Sequence, residues 1–90
     1  MSRIDERSPN KVYVDVIDFV DDNGIHNPLF FRWIDGKRYE VDRVIKRDNE
    51  CSLKAGGVGE RYTVIIVDNG IERKRFMWLE DDRWFMERRT

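Results

Sequence analysis

The chain has 90 residues, enough for one small domain with a modest core. Its 17 basic and 18 acidic residues leave a net charge of −1, which excludes a chain-wide attraction to nucleic acid or membrane surfaces. One cysteine, Cys51, and one histidine, His26, exclude an internal disulfide framework and the usual structural zinc site, and no apolar run reaches the roughly 20 residues of a membrane span.

Residues 1–10 are charged and aperiodic, end in Ser8-Pro9-Asn10, and carry no hydrophobic signal core. They read as a flexible tail on a cytoplasmic protein, followed by a single β domain over 11–90. From Lys11 to Val20, valines 12, 14 and 16 alternate with Lys11, Tyr13 and Asp15, the pattern of a half-buried strand. The alternation blurs from Ile17 to Phe19, where a bulge or two-sided burial is expected. Asp22-Asn23-Gly24 marks a turn, and Asn27-Pro28 marks the start of the next strand, which runs through Phe31 and Trp33. Asp35-Gly36 then signals a hairpin into the Lys37–Val41 run. Val41, Val44 and Ile45 offer about one helical turn, but a strand bulged near Asp42-Arg43 fits the same residues.

Residues 46–61 are the least patterned internal segment and read as a loop. Beyond it, Tyr62, Val64 and Ile66 share one parity. Asp68-Asn69-Gly70 and Glu80-Asp81-Asp82 then punctuate two further strands, carrying Phe76 with Trp78 and Trp84 with Met86. Asp22–Arg43 and Asp68–Arg89 read almost alike, and with the strand before each they give a strand, an Asn-Gly turn, a strand with Phe-x-Trp, an acidic turn, and a strand with an aromatic. An internal duplication over 16–45 and 62–89 is one account; shared turn chemistry in two β-meanders is the other. Neither three-stranded meander buries its apolar face alone. The expected fold is therefore all-β, with six to seven antiparallel strands in two meanders forming a roll or small barrel. Its expected core is Val14, Val16, Phe31, Trp33, Tyr39, Val41, Tyr62, Val64, Ile66, Phe76, Trp78, Trp84 and Met86.

Two groups of residues are candidates for binding. Gly56, Gly57 and Gly59, flanked by Lys54 and Arg61, could turn backbone N–H groups toward an anion. A strand follows them rather than a helix, so they also read as a simple connection. Tyr13, Phe30 and Phe85 with Arg32, Arg73, Arg75 and Arg88 could form an aromatic and basic sheet face for single-stranded nucleic acid. The interleaved carboxylates Glu72, Glu80, Asp81, Asp82 and Glu87 argue against a continuous phosphate track, and rings of this kind also build small β cores. Charged residues on edge strands, such as Arg73 and Arg75, also guard against aggregation.

No nucleophile–base pair or ligand cluster is visible, so no catalytic residue, metal or cofactor is assigned. "FFRWIDGKRYEVDRV", "AGGVGERYTV" and "DDRWFMERR" together resemble a family of unknown function among small bacterial proteins of about this length. The resemblance spans most of residues 11–89, and implies a single bacterial domain without bringing an activity or a site. The expected role is a small non-enzymatic binding or adaptor module that acts through protein contacts, or through self-association at its strand edges. Weak single-stranded nucleic-acid binding is the alternative, and no membrane partner is expected.

Overall fold

A computed structural model describes residues 11–52 and 57–88; the expected tail over 1–10 lies outside them. Seven strands form one antiparallel sheet: β1 (Lys11–Tyr13), β2 (Asp15–Val20), β3 (His26–Arg32), β4 (Arg38–Ser52), β5 (Gly57–Asp68), β6 (Ile71–Glu80) and β7 (Arg83–Glu87). The spatial order is β1-β7-β6-β5-β4-β3-β2. Consecutive strands β1 and β2 thus lie at opposite ends of the sheet, joined only by Val14, whose N–H donates to the Trp84 carbonyl at 3.1 Å. A flat sheet cannot satisfy that connection, so the sheet curls into a half-barrel whose edges meet at Val14. No helix forms among the described residues, and none is long and apolar enough to cross a membrane.

Turn chemistry sets the register. Asn69 and Gly70 have φ of 54° and 78°, the left-handed pair that a two-residue hairpin turn requires. That turn places Asp68 opposite Ile71, Ile66 opposite Arg73, Val64 opposite Arg75 and Tyr62 opposite Met77. Asp81 and Asp82 repeat the geometry, with φ of 52° and 62°, and place Leu79 opposite Trp84 and Trp78 opposite Phe85. In the first hairpin the Asp21 carboxylate accepts from the N–H groups of Asn23 and Ile25, both at 2.9 Å, fixing the turn that Gly24 closes.

The concave face holds a core of Phe31, Val41, Tyr62, Val64, Ile66, Met77, Leu79, Trp84 and Met86, with Val14, Val16, Trp33, Tyr39 and Val44 packed against it. Phe76 and Trp78, expected in this core, point to the convex face instead. Met77 is 0% exposed and Phe76 41% exposed. The physical reason is the register: once Tyr62, Val64 and Ile66 face inward, a two-residue turn forces Met77 inward as well. The Phe-x-Trp pairs of the two similar segments therefore sit on opposite faces, Phe31 on the concave side and Phe76 on the convex.

Two further expectations are corrected. The segment 46–61 is not a loop: β4 and β5 run through most of it as a long hairpin, with only 53–56 outside the described residues. β3 begins at His26 rather than after Pro28. Proline is tolerated there because β4 pairs with β3 only from Phe30 to Arg32, so the missing N–H removes no bond to β4. Register shifts at Val41/Arg43 and Val44/Lys46 in β4, and at Ile17/Asp18 between β2 and β3, mark the bulges expected near Asp42 and Ile17.

Candidate functional site

The sequence-level candidates separate once folded. Gly59 lies within β5, opposite Glu80. A Cβ added there would meet Glu80 Cγ at 2.6 Å and the Leu79 carbonyl oxygen at 3.1 Å, so the glycine admits the close approach of β6. Gly57 also lies in β5, paired with Ser52, while Lys54 and Gly56 fall outside the described residues. Arg61 donates to Asp48 at 3.3 Å and sits over the Phe76 ring. The described part of the glycine-rich segment is strand, in which backbone N–H groups alternate in direction instead of converging on one point.

The residues grouped as a nucleic-acid face split between the two sides of the sheet. Tyr13 and Phe85 meet on the convex face, with ring centroids 5.9 Å apart. Phe30 is also convex but stands across the sheet, under Arg38. Arg32 is paired with Asp15. Arg73 lies on the concave side, 3.6 Å from Asp68. Arg75 and Arg88 line a concave cleft.

The convex rings form a ladder that sequence reasoning missed. Phe76, Trp78, Phe85 and Tyr13 follow one another across β6, β7 and β1, and Trp78 stacks on Phe85 at 5.5 Å and 5° between planes. Lys11 lies 4.3 Å above Phe85 and Arg83 3.7 Å above Tyr13. These contacts occupy ring faces with one another and with cations, and they join the sheet's short edge strand to its body.

At one end of the concave face is a polar network. His26 Nδ1 lies 2.6 Å from Asp18 Oδ2 and the imidazole edge meets Trp84, while Arg47 donates to the His26 carbonyl at 3.1 Å and to Asn27 Oδ1 at 2.8 Å. Arg47 also covers the Tyr62 ring, whose hydroxyl donates to Glu60. Burial first, then that bond, hold the Tyr62 phenol above its ordinary range. The network ties β2 and β3 to β4 where their backbones do not pair.

At the other end, β7 leaves β6. Their pairing covers only Glu80–Arg83, Leu79–Trp84 and Trp78–Phe85, and beyond it Met86 and Glu87 pair only with Val12 and Lys11 of β1, on the other edge of β7. The departure opens a cleft of about 640 Å³ whose floor is aromatic and apolar, including Phe31, Trp33, Tyr39 and Ile66. Its volume lies in the usual range for ligand sites. The β6 groups along this cleft follow from the antiparallel alternation. Glu80 and Trp78 carry the hydrogen-bonded pairs to β7, so the edge-facing groups next in line belong to Phe76, Lys74 and Glu72. The Lys74 carbonyl does face that way, since it accepts from the Arg75 guanidinium at 2.9 Å. No described strand pairs with β6 on this side between Ile71 and Met77.

The charges around the cleft are uneven. Asp68 is held by Lys37 at 3.3 Å and by Arg73 at 3.6 Å, and the Asp68 hydrogen bond raises the Lys37 ammonium above its ordinary value. Among the described residues, Lys74, Arg75 and Arg88 have no carboxylate partner, and Glu87 has no cation partner. β4 also has an open flank, but two bulges, the charged run Asp42, Arg43, Lys46 and Arg47, and the Arg47 bridge to β3 blunt it. Comparison with known families, with curated proteins and with solved structures returns no match for this chain, so the functional reading rests on this geometry.

Proposed function

We propose that this chain is a small non-enzymatic binding module that acts through protein contacts, taking an extended segment of a partner as an added strand on the open edge of β6. The observation that carries this reading is the departure of β7 after Trp78–Phe85, which leaves the edge-facing groups of Glu72, Lys74 and Phe76 beside an aromatic cleft. Main-chain hydrogen bonds to β6 would supply affinity, and alternate side chains of the incoming strand would enter the cleft and supply specificity. Weak single-stranded nucleic-acid binding is a second reading, favoured by the unpaired cations Lys74, Arg75 and Arg88 beside aromatic rings.

An amide NMR titration of the full chain with short peptides of alternating threonine and valine tests the first reading. The expected shifts fall on Glu72, Lys74 and Phe76 and on the indole signals of Trp33 and Trp78. Shifts confined to the β2–β3 hairpin, or none at all, overturn it. A short mixed-sequence single-stranded DNA in the same experiment tests the second. Salt-sensitive shifts at Lys74, Arg75 and Arg88 support it, and their absence at low salt removes it.

A further inference from the structure

Resting on the strand-addition reading, we infer that the partner segment is acidic: it places a carboxylate opposite Arg75, between apolar residues that fill the cleft. Three observations lead there. The first is charge. Lys74, Arg75 and Arg88 lack carboxylate partners among the described residues; Lys37 and Arg73 already neutralise Asp68 and Arg43 holds Glu72 at 3.4 Å, which leaves Glu87 to oppose them. The rim is therefore net positive in a chain whose overall charge is −1, and the excess cations gather at the open edge of β6 beside the apolar floor.

The second is the position of Arg75. Its side chain is concave, opposite Val64, and its guanidinium caps the Lys74 carbonyl on the open edge. An incoming strand displaces that cap by giving the Lys74 carbonyl a backbone N–H, and frees the guanidinium within reach of the strand's own side chain. A carboxylate at the concave-facing position opposite Arg75 then receives two N–H donors in a fork, with Arg88 across the cleft as a second cation. Residues two positions to either side face the same way, toward the apolar floor around Phe31, Trp33 and Ile66.

The third counts against a second copy of this chain paired about Lys74. Antiparallel pairing of β6 with its own copy about Lys74 sets Lys74 against Lys74 and Arg73 against Arg75, which concentrates like charge directly across the ladder. An acidic strand relieves this repulsion. Charge complementarity of this kind selects between partners more than it adds raw affinity.

The test uses the full chain and two peptides of alternating threonine and valine, one with a central glutamate and one with glutamine at that position. Affinities come from the fluorescence of the tryptophans and the binding site from amide shifts. The glutamate peptide is expected to bind about tenfold more tightly. Arg75→Gln with Arg88→Gln is expected to erase that preference, bringing the two peptides to equal affinity. Equal binding of both peptides, with shifts along Glu72–Phe76, overturns the acidic partner and keeps strand addition. No shift along β6 with either peptide overturns both. Displacement of the glutamate peptide by single-stranded DNA from the same residues reassigns the cations to phosphate and overturns the acidic-strand proposal.

Discussion

The single residue that best separates the two faces of this sheet is Met77. It is 0% exposed between Tyr62 and the rest of the core, whereas its neighbour Phe76 lies on the convex side. Met77→Ala is expected to lower the free energy of unfolding by about 2–4 kcal/mol, and Phe76→Ala by about 1 or less, as read by urea denaturation. Larger loss at Phe76 would reverse the assigned faces. Tyr62 gives a second residue-scale test. Its phenol is held above its ordinary range by burial and by the bond to Glu60, so the fold favours the protonated form. Its contribution is full below the unfolded value of about 10 and is lost as pH rises beyond that. Denaturation midpoints should therefore fall above about pH 10, and Tyr62→Phe should flatten that decline while costing about 1 kcal/mol near neutrality for the lost hydrogen bond. An unchanged alkaline slope in the variant would detach Tyr62 from it.

At the scale of the element, the two hairpin turns flanking β6 make different use of the left-handed region. Asn69-Gly70 is well suited to it, but Asp81-Asp82 places two L-residues there, with φ of 52° and 62°. Asp82→Gly is expected to stabilise the protein by about 0.5–1 kcal/mol, seen as a higher melting temperature, because glycine takes that conformation without steric penalty. A lower melting temperature would refute this. The edge assignment of β6 has its own test in adjacent prolines. Lys74 directs its N–H to the open side and Arg75 directs its own to β5. Lys74→Pro should keep the fold and abolish strand addition, while Arg75→Pro removes a ladder bond and should cost about 1–3 kcal/mol. Circular dichroism and peptide titration of the two variants read this directly; equal damage from both would place the open edge elsewhere. The same turns show how much of β6 was legible. With Tyr62, Val64 and Ile66 inward, a two-residue turn at Asn69-Gly70 already dictates that Met77 follows. The size of Phe76 and Trp78 is the weaker signal, because aromatic side chains serve either face of a curled sheet.

Over the whole molecule, stability should be graded from the centre of the sheet outward. β5 pairs along its length with β4 and β6 and supplies Tyr62, Val64 and Ile66 to the core. β1 is three residues long and β2 has one strand neighbour, β3. Hydrogen exchange should be slowest at Tyr62–Ile66 and fastest in β1 and β2, with the edge-facing amides of Glu72, Lys74 and Phe76 exchanging well before those of Arg73, Arg75 and Met77. Uniform protection along β6 would mean that its edge is covered. The polar network of Asp18, His26 and Arg47, by contrast, joins residues far apart in the chain, and no periodicity announces it.

The sequence by itself determined most of the strands, because period-2 alternation and Asn-Gly or Asp-Gly turns are local properties of the chain, but not the long hairpin through 46–61 or the division of Lys11–Val20 into β1 and β2. It determined most of the concave core by the same rule, and the bulge near Asp42 by the break in that alternation. The closure of the sheet at Val14, the split of the basic and aromatic residues between two faces, and the cleft beside β6 were decided only by tertiary structure. Each depends on which strand edge meets which across the curl. In particular, β7 stops pairing with β6 after Phe85 while its other edge stays paired with β1 through Glu87, and no residue of β6 announces that stop.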